Sequence, residues 1–317
     1  MTEPMRAGSQ GAMGQAHAWP DVSVVVATRH RPELLHRAVT SILGQSYPGA
    51  LECVVVFDQC DPVTPAVQVP DGRGLRILTN TRTPGLAGAR NVGITSTSSA
   101  VIGFCDDDDN WLPDKISSQV RLLEQSGAGL VACGIRIHHS GHSVVRMPPP
   151  HVDLAQLARD RVTALHPSTF LIRRAALEEI GLVDEQIPGC YGEDYDLLVR
   201  AARHGPILGV QEALVDVHWH EQSYFAERWQ TIADALGYLL SKHPEIRADA
   251  PGRARIDGQI AFAEAALGLR GPAFRSSWRA LRGNPRERRA YLALAVAAGA
   301  IPASSIVRAA NRRGHGI

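Results

Sequence analysis

Short apolar runs, rich in β-branched residues, alternate with amphipathic segments over the first 140 residues of the chain. Residues 22–28, 53–57 and 100–105 form near-continuous apolar runs, which are typical of strands buried on both faces. The segments that begin at Pro32 and Gly85 carry apolar residues at helical spacing. This alternation predicts βαβ units, and therefore an α/β fold with a mostly parallel sheet flanked by helices.

The pattern changes after residue 140, and from residue 226 onward the apolar spacing is helical. Residues 1–20 lack the apolar stretch of a signal peptide, and we expect them to be a flexible leader. The further predicted strands are 75–78, 130–137, 168–172, 208–210 and 214–219, and the further predicted helices are 113–124, 175–180, 194–204, 227–241, 253–269, 272–282 and 286–299.

Acidic residues stand where two of the predicted strands end. Asp58 closes the strand at 53–57, and the run Asp106–Asp109 follows the strand at 100–105 directly. Ligands of parallel α/β sheets bind beyond the carboxyl ends of the strands. We therefore expect Asp58 and the aspartate run to share one site.

Four consecutive aspartates repel one another, so their pKa values rise unless a cation neutralises them. Mg²⁺ and Mn²⁺ prefer carboxylate and phosphate oxygens as ligands. Asp106 and Asp108 can both face one metal ion, or one of them can face the ion while the other faces a ribose. The alternative is that the run is a solvated acidic loop. An EF-hand is excluded because Trp111 and Ser117 stand where it needs Gly and Glu. A phosphatase of the haloacid-dehalogenase type is a weaker alternative, since Asn110 occupies its Thr or Val position.

Seven segments, in order along residues 21–225, resemble the family 2 glycosyltransferases with a GT-A fold. The segments are VSVVVATRHRPELLHRAVTSILGQSYP, VVVFDQCDP, GLAGARNVGI, FCDDDDNWLPDK, HPSTFLIRRAALEEIGLVDE, GEDYDLLVRAARHG and VDVHWHEQSYF. The resemblance implies a Rossmann-like GT-A domain over 21–225 and a helical C-terminal region over 226–317. It also implies an inverting transferase that uses a nucleotide-diphosphate sugar and Mn²⁺ or Mg²⁺.

The resemblance assigns roles to matching positions of this chain. Asp194, beside Glu193, would be the catalytic base, and Asp108 and His220 would hold the metal, with Asp109 next to them. We expect His166 to face the acceptor. The positions that would bind the nucleotide sugar are Thr28, Asp58, Arg90, Asp106 and Asp107.

Two departures from the family pattern leave the nucleotide and the sugar open. Gln59 and Cys60 follow Asp58 where the family usually has adjacent acids and Gly-Ser, and His218 stands where an Arg is common. UDP-, GDP- and dTDP-sugars are candidate donors, and a saccharide, a lipid-linked glycan or a small molecule is a candidate acceptor. The rival functions are a sugar-nucleotide pyrophosphorylase and an inactive carbohydrate-binding scaffold.

Glycosyl transfer needs a base for the acceptor hydroxyl, and the Glu193–Asp194 pair suits that task. Gly192 precedes the pair and apolar residues follow it, which places both carboxylates at a helix N-terminus, where the dipole favours the ionised form. The alternative for this pair is simple helix capping.

The near-zero net charge of +1 conceals a split between the body of the chain and its C-terminal end. Residues 270–317 contain ten Arg and one acid, Glu287, for a balance of +9, which leaves 23 basic and 31 acidic residues elsewhere. Accessory helices that pack on the body, peripheral contact with anionic membrane lipid and oligomer contacts, such as a homodimer, all fit this segment. No sequence motif of a nucleic-acid-binding protein is present.

The five cysteines, none of them in C-x-x-C spacing, predict that the protein is located in the reducing cytoplasm. If the C-terminal segment contacts a membrane, we expect the protein at the inner face of that membrane.

Overall fold

The computed structural model describes residues 19–139, 141–218 and 228–312. Strands and helices alternate in its first half, as the apolar runs predict. The strands in the described residues are β1 Val22–Thr28, β2 Leu51–Phe57, β3 Arg73–Thr79, β4 Val101–Asp106, β5 Asn110–Trp111, β6 Leu130–His139, β7 His142–Arg146, β8 His151–Val152, β9 Leu171–Arg173 and β10 Ile207–His218.

Helices flank the sheet and make up the C-terminal part. Short 3₁₀ turns at Pro167–Thr169 and Pro188–Cys190 precede β9 and α6. The α-helices in the described residues are α1 Pro32–Leu43, α2 Leu86–Thr95, α3 Lys115–Ser126, α4 Leu154–Arg159, α5 Arg174–Ile180, α6 Glu193–Ala202, α7 Trp229–Lys242, α8 Pro244–Ala248, α9 Ala250–Ala266, α10 Arg270–Gly283, α11 Arg288–Ala297 and α12 Ala303–Arg312.

The described strands form one sheet in the order β3-β2-β1-β4-β9-β6-β10-β5. Strands β3, β2, β1 and β4 are parallel neighbours, and so are β6 and β10. The short strand β9 joins these two groups by antiparallel pairing with both β4 and β6. The carboxyl ends of β1, β2 and β4 therefore lie together at one edge of the sheet.

The α/β fold with a helical C-terminal region is confirmed, and three details of the prediction need correction. The segment predicted as a strand at 168–172 opens with the 3₁₀ turn Pro167–Thr169, so β9 begins only at Leu171. The two strands predicted at 208–210 and 214–219 are one strand, β10, whose register shifts between Val210 and Val215. Beyond β4, the short strands β5, β8 and β9 pair antiparallel with their neighbours, although β6 and β10 are parallel. These three strands were not predicted as antiparallel partners, because two or three residues are too few to carry a periodic signal.

Two apolar layers cover the sheet because alternate residues of its strands point to opposite faces. Val24 and Val26 of β1 pack with α1 and α3, whereas Val25 packs with α2, α6 and the C-terminal helices. Helices α7 to α9 share the second layer through Leu236, Leu239 and other side chains, so they belong to the core of the sheet. The predicted boundary at 225/226 lies outside the described residues, and the division into regions stays a prediction.

A buried ionic cluster fixes α6 against α7 and α8. Asp196 is fully buried and accepts hydrogen bonds from Lys242 Nζ at 2.7 Å, His243 Nε2 at 2.8 Å and Arg200 Nε at 2.9 Å. Arg200 also donates to the backbone carbonyls of Gly181 and Leu182. We call Asp196, Arg200, Lys242 and His243 the α6 anchor. It holds the first turn of α6, which carries Glu193 and Asp194, in a fixed register.

Among the described residues, no helix combines the length and the apolar character that crossing a bilayer requires.

Candidate active site

The loops that follow the sheet strands at the carboxyl edge carry unusual backbone conformations. His30 after β1, Gln59 after β2 and Cys190 before α6 have φ values of 55°, 54° and 58°, the left-handed region that non-glycine residues rarely adopt. Such conformations cost free energy and are found mainly where surrounding structure imposes them, often at functional sites. All three residues flank the acidic side chains described below.

Asp58 is held in one orientation at the end of β2. Its Oδ1 accepts hydrogen bonds from Asn80 Nδ2 at 2.7 Å and from the backbone N–H of Gly85 at 3.0 Å, and its Oδ2 accepts one from Gln59 Nε2 at 2.9 Å. Burial alone would raise the pKa of Asp58, but these hydrogen bonds outweigh it and hold the pKa below the usual value. The carboxylate therefore stays ionised and oriented.

The second aspartate of the run, Asp107, ties the end of β4 to the end of β1. Thr28 Oγ1 donates to Asp107 Oδ2 at 2.7 Å, and Arg31 Nη1 lies 3.1 Å from Asp107 Oδ1 and 3.0 Å from Asp108 Oδ2. Arg31 is 42% exposed, so this guanidinium stands at the mouth of the site. Thr28 and Asp107, both predicted to bind the nucleotide sugar, are thus in direct contact.

Three aspartates of the run have raised pKa values. Burial raises the pKa of Asp108 to about 6, helped by the charges of Asp106 and Asp107. Burial likewise raises the pKa of Asp107, and it raises that of Asp109 well above the usual range, with the charges of Asp106 and Asp108 adding to the effect. Arg31 offsets only part of this repulsion. The run therefore carries more negative charge than its surroundings balance, which favours a cation there.

Asp106, Asp109 and His166 form the one group in the described residues whose geometry could hold a metal ion. One ligand atom from each lies within 4.8 Å of the others. His166 Nδ1 is 3.4 Å from Asp109 Oδ2, and Ser168 Oγ donates to the same oxygen at 2.5 Å. Burial lowers the pKa of His166, so the imidazole is neutral and able to act as a ligand. The charge, the neutral ring and the spacing all fit a divalent cation.

Arg90 joins the aspartate run to the acidic pair of α6. Its guanidinium is buried over the ring of Phe104 and lies 2.8 Å from Asp106 Oδ1 and 2.6 Å from Glu193 Oε1. A single buried cation thus bridges two acidic motifs that are 87 residues apart along the chain. The bridge brings them into one site.

Glu193 and Asp194 lie side by side in the first turn of α6, but their surroundings differ. Burial raises the pKa of Glu193 to about 7, with the charge of Asp194 adding to the effect and Arg90 opposing it. Burial would also raise the pKa of Asp194, but Arg161 Nη2, 2.6 Å from Asp194 Oδ2, outweighs it and lowers the pKa. One carboxyl of the pair is thus held ionised, while the other titrates near neutral pH.

The structure brings together most of the residues that the sequence singled out. Asp108 contacts Arg31, whereas the group with metal-ligand spacing includes Asp109 and His166. His220 lies outside the described residues. Sequence reasoning missed Arg31 and Arg161, because each forms an ion pair with a residue far along the chain and has no local signal. The predicted residues that the edge gathers are Thr28, Asp58, Arg90, Asp106, Asp107, Asp108, Glu193 and Asp194.

Solved structures share this fold at low sequence identity. The crystal structure of S. aureus TarS, residues 1–349, in complex with UDP matches with a TM-score of 0.59 and 17% identity over 93% of this chain and 92% of that one. The mannosyltransferase PcManGT from Pyrobaculum calidifontis, in complex with GDP-Man and Mn²⁺, matches with a TM-score of 0.55 and 20% identity over 94% and 83%. These likenesses support the GT-A fold.

The amino-acid sequence also matches curated proteins and a family model. The succinoglycan biosynthesis protein ExoO of Rhizobium meliloti (strain 1021) is 31% identical over 209 residues, which cover 61% of this chain and 58% of ExoO. The chain thus spans less than two thirds of the length of that relative. The family model described as "Glycosyl transferase family 2" matches residues 23–181, just over half of the chain. The chain therefore belongs to glycosyl transferase family 2.

Proposed function

We propose that the chain transfers a sugar from a nucleotide-diphosphate sugar to an acceptor hydroxyl, with inversion at the anomeric carbon. The observation that supports this most is the bridge of Arg90 between Asp106 and Glu193. It sets a cation-attracting aspartate run beside a pair of carboxylates on α6. Transfer requires this combination, because the leaving diphosphate needs positive charge and the attacking hydroxyl needs a base.

Asp58, Thr28 and Asp107 would bind the nucleoside part of the donor. The hydrogen bonds of Asp58 from Asn80 and Gly85 hold its carboxylate ready to accept hydrogen bonds from a base or a ribose. The complexes of TarS with UDP and of PcManGT with GDP-Man support this type of ligand. We keep UDP-, GDP- and dTDP-sugars as donors. The acceptor is a saccharide, a lipid-linked glycan or a small molecule, and the name of ExoO favours a saccharide.

Mn²⁺ or Mg²⁺ would bind at the aspartate run. Asp106, Asp109 and His166 offer the ligand atoms, and Asp108 and His220, the metal ligands that the resemblance implies, stay proposals. The Mn²⁺ in the complex of PcManGT supports a divalent ion. When bound, the ion would act as a Lewis acid toward the leaving diphosphate. Arg31 and Arg90 line the same edge and add fixed positive charge.

Asp194 would take the proton of the acceptor hydroxyl. Arg161 keeps this carboxylate ionised and holds Oδ2 in place, and the N-terminus of α6 adds to the stabilisation of the charge. Glu193, bound to Arg90, would fix the position of the neighbouring residue. One displacement by the hydroxyl from the face opposite the leaving diphosphate inverts the anomeric centre.

The rival functions have less support. A pyrophosphorylase should open with a Gly-rich, Arg-containing phosphate loop after β1, and the segment after β1 is RHRPELL. An inactive scaffold would not need the raised pKa of Glu193 or the pairing of Asp194 with Arg161. A cytoplasmic location, peripheral membrane contact and a homodimer stay predictions.

Replacing the base tests this proposal. We expect Asp194→Asn to retain binding of the donor nucleotide and to lose about 10²–10⁴-fold in transfer rate, the usual contribution of a general base. Nucleotide binding is measured by calorimetry and transfer by release of the nucleoside diphosphate. Asp71→Asn is a matched control, since that carboxylate is exposed and precedes the amino end of β3, at the edge of the sheet opposite the site.

Near wild-type transfer by Asp194→Asn would refute the assignment of the base. If Glu193→Gln abolished transfer and Asp194→Asn did not, Glu193 would be the base. Loss of nucleotide binding in Asp194→Asn would instead show that this residue shapes the donor site.

A further inference from the structure

Helix α10 exposes two aromatic side chains next to two arginines. Phe274 is 47% exposed and Trp278 is 60% exposed, the largest value among the exposed large apolar residues of the described chain. Arg275 and Arg282 are also exposed, and the guanidinium of Arg282 lies 4.7 Å from the centre of the Trp278 ring. We call these four residues the α10 outer face.

Packing of the opposite side of α10 sets the direction of this face. Ala273, Ser276, Ser277 and Ala280 are buried, and Ser276 Oγ donates to Glu264 Oε2 of α9 at 2.6 Å. At 100° per residue, these buried positions lie opposite the α10 outer face. One side of α10 therefore packs on the body of the protein, as expected for an accessory helix. The α10 outer face lies on the exposed side of the same helix.

The arginines of the α10 outer face have no carboxylate partner in the part of the chain that the structure describes. Elsewhere in this region, Arg279 pairs with Asp257 and Arg289 with Glu287. Within the described residues, Arg275 and Arg282 form no ion pair with a carboxylate, and residues 270–317 carry a balance of +9. Positive charge without internal neutralisation, at an exposed surface, favours an anionic partner.

We infer that the α10 outer face binds the surface of an anionic lipid bilayer. Arginine attracts lipid phosphate, and exposed Trp and Phe side chains insert at the level of the headgroups, so the combination of the two suits a bilayer interface. The inference goes beyond the proposed function, and it does not require transfer activity.

A second copy of the chain is a less suitable partner, although its body carries the balancing negative charge. Part of that charge is buried at the carboxyl edge and in the α6 anchor, where Asp107, Asp109, Glu193, Asp194 and Asp196 are at most 6% exposed. These carboxylates are not available to arginines of another copy. A lipid surface, by contrast, offers phosphate groups across its whole area.

Vesicle flotation of the full chain tests the inference. Vesicles of phosphatidylcholine with about 30 mol% phosphatidylglycerol supply the anionic surface, and pure phosphatidylcholine is the comparison. We expect the wild-type chain to float with the anionic vesicles and to stay behind with the neutral ones. Salt should weaken the binding, because the Debye length falls from about 10 Å at 0.1 M to about 3 Å at 1 M.

Two double variants separate the two parts of the surface. Arg275→Gln with Arg282→Gln should weaken partition about 30-fold, taking about 1 kcal/mol for each arginine near an anionic surface. Phe274→Ser with Trp278→Ser should weaken it about tenfold or more through lost apolar burial. The matched controls are Arg37→Gln with Arg247→Gln, and Val63→Ser with Val69→Ser, which remove exposed side chains of the same kind elsewhere.

The inference is supported if both α10 variants lose vesicle binding while both control variants keep it. It is overturned if the wild-type chain does not float, or if the α10 variants float as well as the wild type. It is also overturned if sedimentation without vesicles shows an oligomer that the α10 variants dissociate, since the face would then bind a second copy. Circular dichroism of each variant confirms that it is folded.

Discussion

The aspartate run and the α6 anchor both contain buried aspartates, yet their charge balance is opposite. In the α6 anchor, Asp196 meets Arg200, Lys242 and His243 at hydrogen-bond distance. Along the aspartate run, Asp108 meets only the half-exposed Arg31 among the described side chains. The α6 anchor has its cations built in, whereas the run is short of positive charge.

The pKa directions follow this difference. Burial would raise the pKa of Asp196, but the hydrogen bond from His243 and the charge of Arg200 outweigh it and bring the pKa far below its usual range. Burial and neighbouring charges raise the pKa of Asp108 to about 6. A cluster with complete internal partners serves the fold, and a cluster that lacks them is the better candidate for binding a cation from solution.

The largest effect on stability is expected in the α6 anchor. Asp196→Asn would leave the mostly buried Arg200 without its counter-charge and the fully buried His243 without its carboxylate partner, and we expect a loss of about 3–5 kcal/mol in the free energy of unfolding. Urea denaturation followed by circular dichroism measures it. Asp71→Asn, at an exposed carboxylate, should stay within about 0.5 kcal/mol. A loss below 1 kcal/mol for Asp196→Asn would show that the α6 anchor is not the structural element described above.

Replacing an aspartate of the aspartate run should raise the free energy of unfolding instead of lowering it. Asp108→Asn removes one of several mutually repelling charges, so we expect the metal-free protein to gain about 1–2 kcal/mol in the free energy of unfolding. The same variant should gain less from added Mn²⁺ than the wild type. If Asp108→Asn destabilised the metal-free protein, repulsion would not dominate at this edge.

The smallest expected effect is the pH dependence of the free energy of unfolding, in which the aspartate run and the α6 anchor should again differ. A carboxyl group with a raised pKa binds its proton more tightly in the folded state than in the unfolded chain. Protonation of Asp108 therefore adds stability as the pH falls from above about 6, its pKa in the folded protein, toward about 4, its pKa in the unfolded chain. Between pH 7 and pH 5 we expect Asp108 to contribute a gain of about 1 kcal/mol to the metal-free wild type, a contribution that Asp108→Asn lacks. Glu193, with a pKa of about 7, acts in the same direction.

The α6 anchor gives the internal control for this pH range. Asp196 has a lowered pKa, so its contribution is complete above about pH 4 and is lost only below it. Thermal unfolding at several pH values, with metal removed, checks the prediction. Stability that was flat between pH 7 and pH 5 in both proteins would contradict the raised pKa of Asp108.

The sequence predicted those parts of the fold that have a local signal. The apolar runs of β1, β2 and β4 predicted a parallel sheet, and their ends located Asp58 and the aspartate run at one edge. Strands of two or three residues, such as β5 and β9, have no period that could reveal them. Their positions depend on long-range pairing, so only the three-dimensional structure shows that half of the sheet.

The candidate site likewise contains some residues that have a local sequence signal and others that only tertiary contacts reveal. Arg90 was singled out from a motif, but its bridge from Asp106 to Glu193 is a tertiary contact that no local pattern encodes. Arg31 and Arg161 lie in segments whose sequence resembles ordinary loops, and their contacts with Asp108 and Asp194 span 77 and 33 residues. Family resemblance singled out the acids of the candidate site and Arg90, whereas Arg31 and Arg161 are found only from their tertiary contacts.

We propose that a divalent metal ion, bound together with a nucleoside diphosphate, supplies the positive charge that the aspartate run lacks. Calorimetric titration of UDP, GDP and dTDP into the full chain, stripped with EDTA and then with or without Mn²⁺, tests it most directly. We expect at least one of these diphosphates to bind about tenfold or more tightly with Mn²⁺ present, because the ion offsets the negative charge of both partners. Equal affinity with and without Mn²⁺ for every diphosphate would contradict the claim.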